Sequence, residues 1–171
     1  LAALVDRLLH PASAASAVPT NVHEALERVR LLAQAEAGDG VHLRRDYDPS
    51  LPEVRADPDR LAQALWNLVR NAMEATVAAK DLGKVTEPQV RVRARLDADA
   101  AVVTVEDNGG GPPLDVEGHL FEPFHTSKPK GIGLGLAMTR QALEHQGGQL
   151  TFERLPDGSR FLLLLPRAPR P

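Results

Sequence analysis

The spacing of apolar residues predicts three amphipathic helices, over residues 21–37, 57–79 and 134–146. In each segment apolar side chains recur every three or four residues, which is typical of the buried face of a helix. Asn21 is a typical N-terminal cap, and the pair Asp57-Pro58 combines a capping carboxylate with a proline suited to the first helical turn. We therefore expect three helices that each turn one face toward a common core.

Alternation of apolar and polar residues predicts strands between and after these helices. The last two strands are separated by the turn sequence Pro156-Asp157-Gly158 and should form a hairpin. The order of elements predicts an α/β fold, a two-layer sandwich whose mixed, mostly antiparallel sheet carries about three helices on one face. The predicted strands cover residues 41–47, 90–96, 102–106, 150–152 and 161–165.

The N-terminal residues differ from this pattern. Residues 1–10 have helical apolar spacing, and residues 12–19, rich in Ala and Ser, are typical of a linker. The chain begins with Leu1 inside a helical pattern, so we expect it to be a piece of a longer protein. The predicted division is the end of a preceding helix with its linker in 1–18, the main domain in 19–168, and a tail in 169–171.

Composition narrows the classes of function. The 171 residues are 43% hydrophobic and 25% charged, which suits one globular domain. A net charge of −3 gives no basic footprint for nucleic acid, so no nucleic-acid partner is expected. The absence of cysteine excludes disulfides, thiolate metal sites and cysteine nucleophiles. No apolar run approaches the roughly 20 residues that span a bilayer, and no membrane contact is expected of this domain.

Two asparagines lie four residues apart in the second predicted helix. Asn67 and Asn71 therefore share one face, close to the apolar stripe. Their amides either hydrogen-bond a neighbouring loop or offer oxygen to a hard cation such as Mg²⁺. Both interpretations stay open on this helix alone.

Asp107 follows a strongly β-forming run, where the chain leaves the predicted sheet. Its carboxylate could accept a hydrogen bond from an exocyclic amine such as that of adenine, although Asp-Asn-Gly is also typical turn chemistry. Gly109 and Gly111 permit close backbone approach or a positive φ.

Three alternating glycines lie at the start of the third predicted helix. Backbone N–H groups at such a helix start can bind phosphate, although a flexible hinge would also be rich in glycine. Two of the four lysines of the chain, Lys128 and Lys130, flank this segment and favour the phosphate hypothesis. The glycines are Gly131, Gly133 and Gly135.

Phe121 and Phe124 are two of the four phenylalanines and lie in a segment otherwise rich in Gly and Pro. We call this segment the lid, and we expect both rings to anchor it to the domain. Stacking on a cofactor is the alternative interpretation.

Taken together and in this order, the segments resemble the four nucleotide-binding boxes of a bacterial sensor histidine kinase. The resemblance covers residues 20–166 and is nearest to the nitrogen-regulation type. It implies the Bergerat (GHKL) ATP-binding fold shared with gyrase and a heat-shock chaperone ATPase. The asparagine, first glycine, phenylalanine and second glycine boxes match residues 67–75, 107–111, 121–124 and 131–136.

The resemblance implies ATP and Mg²⁺ as cofactors. Asn71 would bind Mg²⁺ and Asn67 would support the phosphates. Asp107 would bind the adenine amine. The remaining nucleotide-binding residues implied by the boxes are Gly109, Gly111, Lys128, Lys130, Gly131, Gly133, Gly135 and Leu136.

The implied function is that of a protein-histidine kinase catalytic domain in the cytoplasm. It would transfer the γ-phosphoryl group to a histidine on separate dimerisation helices, for relay to a response-regulator aspartate. The domain lacks the acceptor, so it should not autophosphorylate alone. Asn67 stands where ATPase relatives carry a glutamate, which disfavours a self-contained ATPase because an amide is not a general base. A non-catalytic interaction module that uses ATP as a regulator is a further alternative.

Overall fold

The computed structural model describes residues 17–124 and 135–171. The strands in these residues are β1 (Val18–Thr20), β2 (His42–Tyr47), β3 (Val54–Ala56), β4 (Gln89–Asp97), β5 (Ala100–Asp107), β6 (Gln149–Arg154) and β7 (Ser159–Pro166). The helices are α1 (Val22–Ala37), α2 (Pro58–Asp81), α3 (Leu114–Glu117) and α4 (Gly135–Glu144).

Five strands form the main sheet in the order β2-β4-β5-β7-β6. β2 pairs with β4 in parallel, and the other three pairings are antiparallel. The predicted mixed, mostly antiparallel sheet is therefore confirmed. Asp107, the last residue of β5, lies opposite Ser159, the first residue of β7, so the ends of these two strands meet at one edge.

The three longer helices pack on one face of this sheet, as predicted. α2 contacts α1 on one side and α4 on the other, and it also contacts β4 and β5. Leu65 and Leu68 of α2 are fully buried beside Leu26 of α1 and Leu163 of β7. No helix in the described residues is both long and apolar enough to cross a membrane.

Both predicted N-terminal caps are present. The Asp57 carboxylate accepts hydrogen bonds from the backbone N–H groups of Asp59 at 3.0 Å and Arg60 at 3.1 Å. The Asn21 side chain accepts one from the N–H of His23 at 2.9 Å. These bonds satisfy donors that a helix start leaves without intrahelical partners, which sets where each helix begins.

The predicted linker over residues 12–19 is wrong at its C-terminal end. Val18 and Pro19 belong to β1, which pairs antiparallel with β3 in a separate two-stranded sheet. The buried Thr20 hydroxyl donates to the carbonyl of Ala56 at 2.8 Å and closes this pairing. Strands of three residues are too short for an alternating pattern to reveal them. Residues 1–16 lie outside the described residues.

Gly158 lies where β5 and β7 meet, and we predict that Gly158→Ala strongly destabilises the domain. A Cβ at this position would lie 1.8 Å from the carbonyl oxygen of Asp107, so backbone must move. We expect the free energy of unfolding to fall by about 3 kcal/mol in urea titrations.

Gly118→Ala is the matched control. Its φ of −70° suits any residue and no atom lies within 4 Å of its added Cβ. We expect a change of less than about 0.5 kcal/mol. Similar losses in the two variants would contradict the steric explanation.

Candidate active site

Asn67 and Asn71 lie on one half-buried face of α2, as the sequence predicts. The Asn67 amide nitrogen donates to the hydroxyl of Thr139 at 3.3 Å. Thr139 is buried in α4, and its own hydroxyl donates to the carbonyl of Gly135 at 2.7 Å. One end of this α2 face therefore adjoins the first described turn of α4, where Leu136 packs partly buried against the core.

The other end of the same face meets the glycine loop that follows β5. A Cβ on Gly109 would lie 2.7 Å from both the carbonyl carbon and oxygen of Ala75. The close approach at Gly109 is thus an approach to α2, one helical turn beyond Asn71. Because an α-helix rises 1.5 Å per residue, the face from Asn67 to Ala75 is about 12 Å long.

Asp107 is a buried ionisable group of this site, and only 7% of its surface is exposed. Burial raises the pKa of its carboxyl group to about 6; the hydrogen bond from the N–H of Gly109 opposes this shift, and the negative charge of Asp157 adds to it. The Gly109 N–H lies 2.8 Å from one carboxylate oxygen. This hydrogen bond offsets part of the cost of burying the carboxylate.

The glycine loop, residues 108–112, is tied to its neighbours. The Asn108 side chain accepts from the N–H of Gln89 and donates to the carbonyl of Glu87, both at 2.9 Å. The N–H of Gly110 donates to the carbonyl of Asp157 at 2.9 Å. Gly110 and Gly111 have positive φ of 83° and 78°, which explains glycine at these positions. Asn108 is not among the predicted site residues, although its position in an Asp-Asn-Gly turn sequence indicates a structural role for its side chain.

Only one of the two predicted lid anchors packs. The ring of Phe121 lies edge-on to Phe161 at a centroid distance of 6.3 Å, and the guanidinium of Arg140 stands 5.0 Å above it. Phe124 is 66% exposed and has a left-handed φ of 66°. The prediction is therefore wrong for Phe124, whose backbone takes a turn that leaves its ring largely in solvent. The predicted residues Lys128, Lys130, Gly131 and Gly133 lie outside the described residues.

The side chain of Asn71 carries an amide oxygen, which is a suitable ligand for a hard cation beside a nucleotide. Within residues 17–124 and 135–171, no group of three His, Asp or Glu side chains could form a metal site. Mg²⁺ commonly takes only one or two protein oxygens and completes its shell with phosphate oxygens and water. One amide oxygen from Asn71 fits that pattern, whereas a dedicated protein cage does not.

A family model described as histidine kinase-, DNA gyrase B-, and HSP90-like ATPase matches residues 56–169. The chain belongs to this family. The matched residues include α2, the glycine loop and α4. The family model therefore covers the α2 face that carries Asn67 and Asn71, together with both of its neighbours.

Curated relatives of this chain are sensory histidine kinases. The sensory histidine kinase/phosphatase NtrB of Klebsiella oxytoca is 39% identical over 95% of this chain, which covers 48% of that protein. The chain thus spans about half the length of the curated relatives it matches. These findings support a histidine kinase catalytic domain of nitrogen-regulation type.

Solved structures agree. The catalytic domain of histidine kinase ThkA superposes with a TM-score of 0.75 at 27% identity, covering 88% of this chain and 95% of that one. Full-length ShkA in complex with AMPPNP gives 0.73 at 26% identity, covering 90% of this chain and 32% of that one. The family member described here is accordingly an ATP-binding catalytic domain.

We predict that Asp107→Asn makes the domain more stable at pH 7. The folded-state pKa of about 6 exceeds the ordinary value of 3.8, so the folded state binds more protons than the unfolded state between these values. Wild-type stability therefore falls as the pH rises from about 4 to about 6. We expect the variant to gain about 3 kcal/mol at pH 7 and nothing below pH 4.

Urea unfolding at a series of pH values measures this difference. Asp39→Asn is the control, because Asp39 is exposed and its substitution removes the same formal charge. A gain in stability at pH 7 that persisted unchanged at pH 3.5 would contradict an ionisation effect at Asp107.

Proposed function

We propose that this domain binds Mg-ATP along the face of α2 and transfers its γ-phosphoryl group to a histidine on a separate dimerisation and acceptor helix pair. An aspartate of a response regulator would then receive the group. One observation carries the proposal: Asn67 and Asn71 lie on a single face between a buried carboxylate with its glycine loop and the Gly135 end of α4.

Asp107 supports the adenine end of this proposal. One carboxylate oxygen accepts from the Gly109 N–H, which leaves the other oxygen for the exocyclic amine of adenine. Burial strengthens such a bond, since little water competes for the carboxylate. Gly109 and Gly111 shape the backbone beside the base.

Asn71 and Asn67 would serve the phosphate end. Asn71 would hold Mg²⁺, which neutralises phosphate charge when bound. Asn67, oriented by Thr139, would support the phosphates. The second glycine box would line the phosphates from the lid side through Gly131, Gly133, Gly135 and Leu136, with Lys128 and Lys130 adding positive charge.

The proposed chemistry is transfer rather than hydrolysis. The lone pair of the unprotonated nitrogen of the acceptor imidazole would form the new P–N bond while the bond from the γ-phosphorus to the bridging oxygen breaks, so that ADP leaves with that electron pair. The proton on the other imidazole nitrogen would pass to a base on the acceptor helices. Asn67 cannot take a proton from water, because a side-chain amide is not a base near neutral pH. The names of the NtrB relatives, sensory histidine kinase/phosphatase, support the kinase over an ATPase or a non-catalytic module.

A cytoplasmic location belongs to the same proposal, since ATP and response regulators are found there.

Calorimetric titration with AMPPNP, with and without Mg²⁺, tests the proposed site. We expect Mg²⁺ to tighten binding to the wild type, and Asn71→Ala to remove this effect and raise the Kd about tenfold, equivalent to about 1.4 kcal/mol. Gln34→Ala removes an exposed amide of α1 and should change nothing. Absence of binding by the folded wild type would overturn the proposal, and sustained phosphate release from ATP would favour the ATPase.

We further predict that Asp107→Asn changes the base preference. The side-chain oxygen of the asparagine would still accept the hydrogen bond from the Gly109 N–H. Its NH₂ group would then face the adenine amine, and two donor groups cannot form a hydrogen bond with each other. Guanine presents a carbonyl oxygen at that position. We expect AMPPNP affinity to fall at least about tenfold while GMPPNP loses none.

Parallel titrations of both analogues into wild type and variant measure the preference. Asp39→Asn again controls for formal charge. An unchanged ratio of the two affinities in Asp107→Asn would place the base-reading group elsewhere.

A further inference from the structure

Arg154, the last residue of β6, links three parts of the chain through one guanidinium group. Its Nε donates to a carboxylate oxygen of Glu117 at 2.9 Å. Its Nη1 donates to the carbonyl of Gly110 at 3.3 Å, and its Nη2 donates to the carbonyl of Pro112. About a third of each charged side chain is exposed, at 32% for Arg154 and 31% for Glu117, so the pair is partly shielded from water.

Gly111 provides the space that this arrangement needs. A Cβ at Gly111 would lie 2.7 Å from Nη1 of Arg154 and 3.3 Å from its Cζ. The glycine therefore serves two purposes, a positive φ of 78° and room for the guanidinium. The sequence predicts a positive φ or a close backbone approach at Gly111, and the contact with Arg154 is seen only in the structure.

Arg154 lies on a strand of the main sheet, whereas its hydrogen-bond partners lie in the glycine loop and in the short helix α3. β6 is paired with β7 along its full length, so Arg154 projects from a rigid strand. Gly110 and Pro112 belong to the loop that continues from Asp107 and Gly109, and Glu117 ends α3, the first helix after that loop. The planar fork of an arginine presents several donors in fixed directions, which a lysine cannot do.

We propose that Arg154 is a positioning residue for the nucleotide site: its guanidinium holds the glycine loop and α3 against β6 and so fixes the backbone that follows Asp107. The inference rests on the proposed function for the identity of the ligand. The positioning itself concerns the loop and is measurable without nucleotide.

Arg154→Ala should raise the Kd for AMPPNP with Mg²⁺ about tenfold in the folded protein, and Arg154→Lys should not restore it. Arg160→Ala is the matched control. Arg160 is 28% exposed on the adjacent strand and loses two ion pairs of similar length, to Glu106 at 2.9 Å and Glu153 at 2.8 Å, neither of which involves the loop. Its Kd should stay within about twofold of the wild type.

A double-mutant cycle separates positioning from general destabilisation. Gly111→Ala should weaken nucleotide binding in the wild type both by displacing the guanidinium and by straining the backbone at a positive φ. In the Arg154→Ala background only the backbone strain remains, so the fold-change in Kd caused by Gly111→Ala should be smaller. Purely additive fold-changes in Kd would overturn the proposal, because they would mean that Gly111 and Arg154 act independently.

Amide hydrogen exchange of the nucleotide-free protein distinguishes this inference from the proposed function. Arg154→Ala should accelerate exchange of the N–H groups of Gly109 and Gly110, whereas Arg160→Ala should not. Unchanged exchange in Arg154→Ala would overturn the positioning role. Failure of the wild type to bind AMPPNP, with accelerated exchange in Arg154→Ala, would overturn only the proposed function.

Discussion

The burial of α2 between the sheet and two other helices fixes the position of the asparagine face of the candidate active site. Leu61, Leu65 and Leu68 of this helix are fully buried, and burial of a leucine side chain contributes about 1.5–3 kcal/mol. Packing of these side chains fixes the rotation of the helix about its axis. Asn67 and Asn71 consequently face the space between the glycine loop and α4. A rotation of one residue would remove both amides from that space.

Burial of Asp107 lowers the stability of the folded domain and places a carboxylate where a ligand amine could bind. A carboxylate with 7% exposure loses most of its hydration, and one N–H from Gly109 replaces only part of it. The raised pKa expresses this deficit in the folded protein. A ligand amine that donated to this carboxylate would offset more of the lost hydration, which is a physical reason for a destabilising group at the end of β5.

The loop after Asp107 is held mainly by contacts with other elements. Gly109 lies against α2, the side chain of Asn108 bonds the chain at the start of β4, and Arg154 reaches the loop from β6. A segment of this composition would sample many conformations in isolation. Three surrounding elements restrict it to one, which suits a loop that must present a carboxylate at a fixed place.

The sequence by itself determined the long elements and indicated which residues to propose for the candidate site, because helical periodicity, capping residues and local motifs are properties of neighbouring positions. Asp57 begins α2 and the asparagines share a face for reasons confined to that segment. Only the tertiary structure decided the pairing of β1 with β3, the exposure of Phe124, the approach of Gly109 to Ala75 and the reach of Arg154 to the glycine loop. Each of these depends on residues distant in the chain, and contacts between distant residues leave no periodic pattern in the sequence.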